Sequence, residues 1–233
     1  MEGKTGKMGC NCKECVDRFC AVIVLSDQEL ELLEGNCADV SFKKGDLIIK
    51  QGSLTTNVVY IKSGLVKEHM TGPNNKEEIL KITKSPSFLG MPSIFGDKIN
   101  HYSSTALEDT KACFIDSDII KSLIQQNGRF AYQILAFVCE DQLYNFHRCV
   151  NKIQKQLHGC IADALLFFSD SIYNNDEFDL SITRNDLACL IGSSRESVTR
   201  ALIDLSKDGI IDVNAKKIKI LKKDRLQLIS EAG

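Results

Sequence analysis

Thr183-Arg184-Asn185-Asp186-Leu187-Ala188-Cys189-Leu190-Ile191-Gly192-Ser193-Ser194-Arg195-Glu196-Ser197-Val198-Thr199-Arg200-Ala201-Leu202 reads as two short helices joined by a tight turn. Thr183 offers a hydroxyl that caps the first helix, and Gly192 offers the positive φ that ends it. Ser193 or Ser194 then caps the second. In that second helix Val198, Leu202 and Leu205 recur at steps of four and three and so face a core. Arg195, Glu196, Thr199 and Arg200 are left pointing outward near its N-terminus. Lys216-Lys217-Ile218-Lys219-Ile220 supplies a β-wing, which makes the motif a winged helix-turn-helix.

An exposed first turn bearing Arg, Glu and Arg suits a DNA major groove, because Arg forks onto guanine O6 and N7 and Glu accepts from the cytosine amino group. Thr183, Arg195, Glu196, Ser197, Thr199 and Arg200 are therefore the candidate DNA-binding residues. The competing reading makes Glu196 a capping-box partner of Ser193 and the arginines a solvated face with i,i+4 pairing. The wing and the tandem capped helices favour the first, and charge places a nucleic-acid surface near the C-terminus. The chain as a whole carries a formal charge of -2, yet residues 180–233 hold ten Lys or Arg against seven acids, a net +3. The preceding stretch, 156–179, has five acids and no Lys or Arg.

Upstream, from about Asp116 to Phe168, only Gly128 and Gly159 interrupt a proline-free helical rhythm. Phe130, Ile134, Phe137, Asp141, Tyr144 and Arg148 mark one face of a long helix. Its apolar first half can pack against a copy of itself, which predicts a dimerisation helix; the plainer alternative is a helix lying on its own domain. From about Val40 to Ile115 the rhythm is instead one of short β-like runs: Leu47-Ile48-Ile49, Val58-Val59-Tyr60-Ile61, Leu65-Val66, Glu78-Ile79-Leu80-Lys81-Ile82 and Ala112-Cys113-Phe114-Ile115. Lys44-Gly45-Asp46, Gln51-Gly52, Ser63-Gly64 and Gly72-Pro73-Asn74-Asn75 cut between them, so an antiparallel roll, barrel or sandwich is expected. Ser26 and Glu29 form a capping box ahead of it.

The 233 residues, 43% of them hydrophobic, can fill one large or two ordinary cores, which excludes wholesale disorder. The longest apolar runs fall far short of the roughly 20 residues of a membrane helix, and the first residues are too polar for a secretory signal. Ten cysteines in such a chain point to metal or redox chemistry more than to a disulfide frame. Cys10, Cys12, Cys15 and Cys20 fall within eleven residues; Cys37, Cys139, Cys149, Cys160 and Cys189 sit mostly near apolar neighbours and are expected to be small core residues.

The order roll, long helix, winged helix-turn-helix resembles the family of the cyclic AMP receptor protein (CRP) and the fumarate and nitrate reduction regulator (FNR), from about Leu25 to the C-terminus. Phe42-Lys43-Lys44-Gly45-Asp46-Leu47-Ile48-Ile49-Lys50-Gln51-Gly52 with Val59-Tyr60-Ile61-Lys62-Ser63-Gly64-Leu65-Val66-Lys67 looks like the cyclic-nucleotide-binding roll, and Arg195-Glu196-Ser197-Val198-Thr199-Arg200 like the recognition helix. The resemblance implies an α+β chain: a Cys-rich segment 1–24, a cyclic-nucleotide-binding-like β-roll 25–116, a dimerisation helix 117–151 and a winged helix-turn-helix 152–233. It further implies a cytoplasmic homodimeric transcription regulator rather than an enzyme, bound to an inverted repeat in double-stranded DNA, with RNA polymerase as partner and no membrane role.

Cyclic-AMP binders of the family carry a Gly-Glu pair and an Arg-Ser pair around the nucleotide; the matching places here are Gly90-Met91 and Tyr102-Ser103, so no cyclic AMP is expected. The cysteines narrow the resemblance to FNR, whose four-iron four-sulfur (4Fe-4S) cluster takes three N-terminal ligands and one from a roll strand. Cys12-x2-Cys15-x4-Cys20 and Cys113 match, with a spacing one residue shorter than usual and Cys10 as an alternative ligand. The open alternatives are a zinc site or redox thiols in the N-terminal segment, a family member responding to haem, nitric oxide or a small metabolite, and a redox protein whose helix-turn-helix serves protein contacts.

Overall fold

The structure is a computed structural model, and it describes residues 20–233. Cys10, Cys12 and Cys15 lie outside the described residues. Two compact units emerge: one runs through Thr71 and resumes over Lys81–Asp141, the other joins Gly72–Leu80 to Gln142–Gly233.

The first unit begins with α1 (Cys20–Ile23) and α2 (Asp27–Gly35). Ser26 and Glu29 do form the expected capping box over α2. The strands that follow are β1 (Cys37–Phe42), β2 (Leu47–Ile49), β3 (Asn57–Ser63), β4 (Leu65–Thr71), β5 (Glu77–Lys84), β6 (Ser87–Leu89), β7 (Ser103–Ala106) and β8 (Thr110–Asp116), with the short α3 (Met91–Phe95) between β6 and β7. They make two sheets, ordered β1-β8-β3-β6 and β2-β7-β4-β5, which is the predicted roll. At the β3–β4 turn Gly64 has φ +108, and a Cβ there would lie 2.8 Å from the Thr110 Cα, so no side chain fits. β1, β6 and β7 are not among the expected runs because their small and polar residues break any apolar run.

One apolar cluster fills the space between α1, α2, the β1-β8-β3-β6 sheet and the helices after β8. It includes Ala21, Val22, Leu33, Tyr60, Phe88 and Cys113. Those helices are α4 (Ser117–Gln126) and α5 (Gly128–Gln154). A single helix over 117–151 was expected, and the structure corrects this. Asn127 ends α4, and its side-chain oxygen accepts from the amides of Arg129 and Phe130 at 3.1 Å, capping α5.

In the second unit the tail of α5 leads into α6 (Leu157–Phe167), a π-helical turn over Phe168–Tyr173 and β9 (Glu177–Asp179). α7 (Arg184–Ile191), α8 (Arg195–Lys207), β10 (Ile211–Asn214), β11 (Lys217–Ile220) and α9 (Lys223–Ala232) complete it. β10, β11 and β9 form a three-stranded sheet.

Candidate functional site

α7 and α8 are held by the predicted caps. Thr183 Oγ1 accepts from the Asp186 amide at 3.0 Å, while the Asp186 carboxylate accepts from the Thr183 amide at 3.0 Å. Gly192 closes α7 at φ +74. Ser194, not Ser193, caps α8: its hydroxyl accepts from the Ser197 amide at 3.1 Å, and the Ser193 amide donates to Ala188 O. Glu196 is therefore outside any box with Ser193, and it is exposed beside Arg195, Thr199 and Arg200. Val198, Leu202 and Leu205 are buried as expected. Ser197 is half-buried with its hydroxyl bonded to Ser194 at 3.0 Å, and the hydroxyl of exposed Thr183 serves the cap.

The wing turn presents Lys216, Lys217 and Lys219 to solvent. Glu177 of β9 takes Lys217 at 2.5 Å and Lys219 at 3.0 Å, and these two cations hold its carboxyl below the usual range. Arg184, one of the ten cations of residues 180–233, is half-buried and donates from Nη2 to Ala215 O at 3.0 Å, tying the first turn of α7 to the wing. Its position directly after the Thr183 cap was the available signal.

Met91 and Tyr102, the residues expected at the charged places of a nucleotide site, lie in α3 and just ahead of β7. The Tyr102 hydroxyl accepts from the Gly90 amide at 2.8 Å. Beside it runs a buried polar chain: Glu68 accepts from Thr83 Oγ1 at 2.5 Å and pairs with Lys81 at 3.3 Å, and Lys81 also pairs with Asp141. Burial pushes the Glu68 carboxyl and the Tyr102 hydroxyl up, while its two acidic partners raise Lys81.

Cys113, in the middle of β8, faces Tyr60 on one side and Asp39 on the other in strand register. It is 2% exposed and belongs to the cluster containing Ala21 and Val22, the residues after Cys20. Cys139 and Cys149 are exposed, contrary to the expectation of core packing, and Cys37, Cys160 and Cys189 are partly buried.

The sequence matches the family model of the cyclic nucleotide-binding domain over residues 39–127 and that of the Crp-like helix-turn-helix domain over 161–229. The chain is a CRP/FNR family regulator. It is 24% identical over 236 residues to the fumarate and nitrate reduction regulatory protein of Vibrio cholerae, covering 99% of this chain and 93% of that one. It is 26% identical over 191 residues to a CRP-like cAMP-activated global transcriptional regulator of Mycobacterium tuberculosis, covering 80% and 85%. Among solved structures, FixK2 from Bradyrhizobium japonicum superposes with a TM-score of 0.76 at 18% identity, over 83% of this chain and 96% of that one.

As a helix-turn-helix regulator of this family the chain binds DNA, forms dimers and is not an enzyme. No helix among the described residues is long and apolar enough to cross a membrane. The face of α5 expected to form the dimer seam needs correction, because the CRP/FNR chain itself occupies it. Phe130 and Ile134 are buried in the first unit, Phe137 meets Phe88 edge-on at 6.0 Å, and Asp141 holds Lys81. Tyr144 packs on Phe167, and Arg148 donates to Ile79 O and Leu190 O. Tyr132, Leu135, Phe146 and Ile153 are instead 57–77% exposed. With Cys139 and Cys149 they recur at steps of three, four, seven, three and four, a heptad stripe on the opposite side of the helix.

Proposed function

We propose that this regulator is a cytoplasmic homodimer that reads an inverted repeat and reports oxygen or redox state through a cysteine-ligated 4Fe-4S cluster. Its two copies meet along the exposed stripe of α5, and RNA polymerase is the machinery it addresses. Arg195, Glu196, Thr199 and Arg200 read base edges from the first turns of α8, with Thr183 and Ser197 keeping the two helices capped and in register.

The burial of Cys113 in the cluster it shares with Ala21 and Val22 supports the sensory half of this reading. A thiol on β8 thereby lies in the same enclosed packing as the residues that follow Cys20, so the N-terminal segment and a strand can both contribute ligands. Cys12, Cys15, Cys20 and Cys113 would hold the group, with Cys10 as the alternative to Cys12. Bound there, the cluster supplies an oxygen-labile redox centre whose potential responds to solvent access and nearby hydrogen bonds. The apolar surroundings of Cys113 keep water away from that side. A relative in Pasteurella multocida, 25% identical and named anaerobic regulatory protein, favours an anaerobic signal. Cyclic AMP is not the signal on this reading, since Met91 and Tyr102 leave its phosphate and ribose without charged partners.

The test is reconstitution with iron and sulfide without oxygen, followed by iron content, absorption and DNA affinity before and after air. Cys113→Ala is expected to lose the iron and the air response. Full iron content in Cys113→Ala would overturn the assignment in favour of a site built from the N-terminal cysteines alone.

A further inference from the structure

The proposal below rests on the α5 dimer seam. Cys139 and Cys149 are both exposed in the chain and both fall on the heptad stripe with Tyr132, Leu135, Phe146 and Ile153. α7 and α8 follow α5 in each chain, and two recognition helices can share one inverted repeat only if both lie at the same end of the seam. The two copies of α5 therefore run parallel, and in a parallel two-stranded seam each residue meets its own copy. Helix axes about 8–10 Å apart, with each Cα about 2.3 Å from its axis, leave about 5 Å between facing Cα atoms. A disulfide spans about 4.4–6.8 Å between Cα atoms.

We propose that Cys139 and Cys149 are intersubunit disulfide sites, each pairing with its own copy across the dimer axis. The oxidant class is a small-molecule disulfide. The Cys139 thiolate attacks one of its sulfurs; a protein–small-molecule S–S bond forms, the original S–S bond breaks, and one thiol leaves with a proton. Attack on the protein sulfur by the partner's Cys139 then forms the protein disulfide and releases the second thiol. Two protein thiols lose two electrons, and one small disulfide becomes two thiols. The same sequence applies at Cys149. The bond would make the dimer covalent, so that its DNA binding no longer depends on subunit concentration.

The experiment treats the full reduced chain with oxidised glutathione, without oxygen, and reads non-reducing gels, with sedimentation of the reduced protein in parallel. The wild type is expected to give a band at twice the 25.9 kDa chain mass. Cys139→Ser and Cys149→Ser should each keep it, and Cys139→Ser/Cys149→Ser should lose it while retaining the iron content and sedimentation of the wild type. Loss of the band in both single variants would show Cys139 bonded to Cys149 and overturn the parallel pairing. A reduced dimer that never cross-links, or a double variant that cross-links as well as the wild type, would overturn the disulfide sites while leaving the cluster and the seam intact.

Discussion

At the scale of single residues, Glu196 carries the sharpest prediction, because the Ser194 cap leaves its carboxylate with no part in ending the turn. Glu196→Ala should relax choice at one base pair by about 1–3 kcal/mol and leave the salt dependence of binding unchanged, measured by gel shift over single-base operator variants at two salt concentrations. Unchanged base preference with a lower melting temperature would return the residue to a helix-stabilising role. Gly192 works through the backbone instead. At φ +74 an L side chain is strained, so Gly192→Ala should cost about 1 kcal/mol by urea denaturation, and Gly192→Asn less. Both positions were legible in the sequence, since a cap and a left-handed residue depend on neighbours a few positions away.

At the scale of elements, the polar chain between β4, β5 and α5 makes the roll and the first half of the long helix one cooperative piece. Lys81→Met takes away the cation that Glu68 and Asp141 share and should cost about 3 kcal/mol in urea, whereas Leu135→Ala on the exposed side of α5 should leave the isolated chain's stability nearly unchanged. The chain also has a pH signature. Burial lifts Glu68 above its ordinary 4.5, so folding takes up a proton as pH rises past that value, and stability falls across the window up to the folded-state pKa. Glu68→Gln should flatten that slope on the alkaline side of 4.5, measured by urea denaturation across a pH series. None of this network could be read from the sequence, because its bonded partners are 13 to 60 positions apart. The choice of face on α5 was equally hidden. Phe130, Ile134 and Phe137 and, on the other side, Leu135, Phe146 and Ile153 both keep helical spacing, and periodicity cannot say which stripe the chain will cover itself. The break before α5 did leave a trace in Asn127-Gly128, a turn signal inside an otherwise unbroken helical run.

At the scale of the whole molecule, the exposed stripe on α5 ties DNA affinity to association. Leu135→Asp/Phe146→Asp should give a monomer by sedimentation that binds a full inverted repeat no better than a half-site; an intact dimer would place the seam elsewhere. Calorimetry with cyclic AMP should show no micromolar binding, since an unpaired phosphate beside Met91 and Tyr102 is costly to bury, and tight binding with a gain in DNA affinity would refute this. The three-stranded wing sheet bears on how such measurements are read. Glu177 is a counterion built into the protein, bonded to Lys217 and Lys219 before any nucleic acid arrives. When a phosphate takes those lysines, the anion displaced is a tethered carboxylate, and correspondingly few condensed cations need leave the DNA for the exchange to remain neutral in net charge. Titration against salt will therefore undercount the wing's contacts, and Glu177→Gln should steepen the slope without adding a single new bond to DNA.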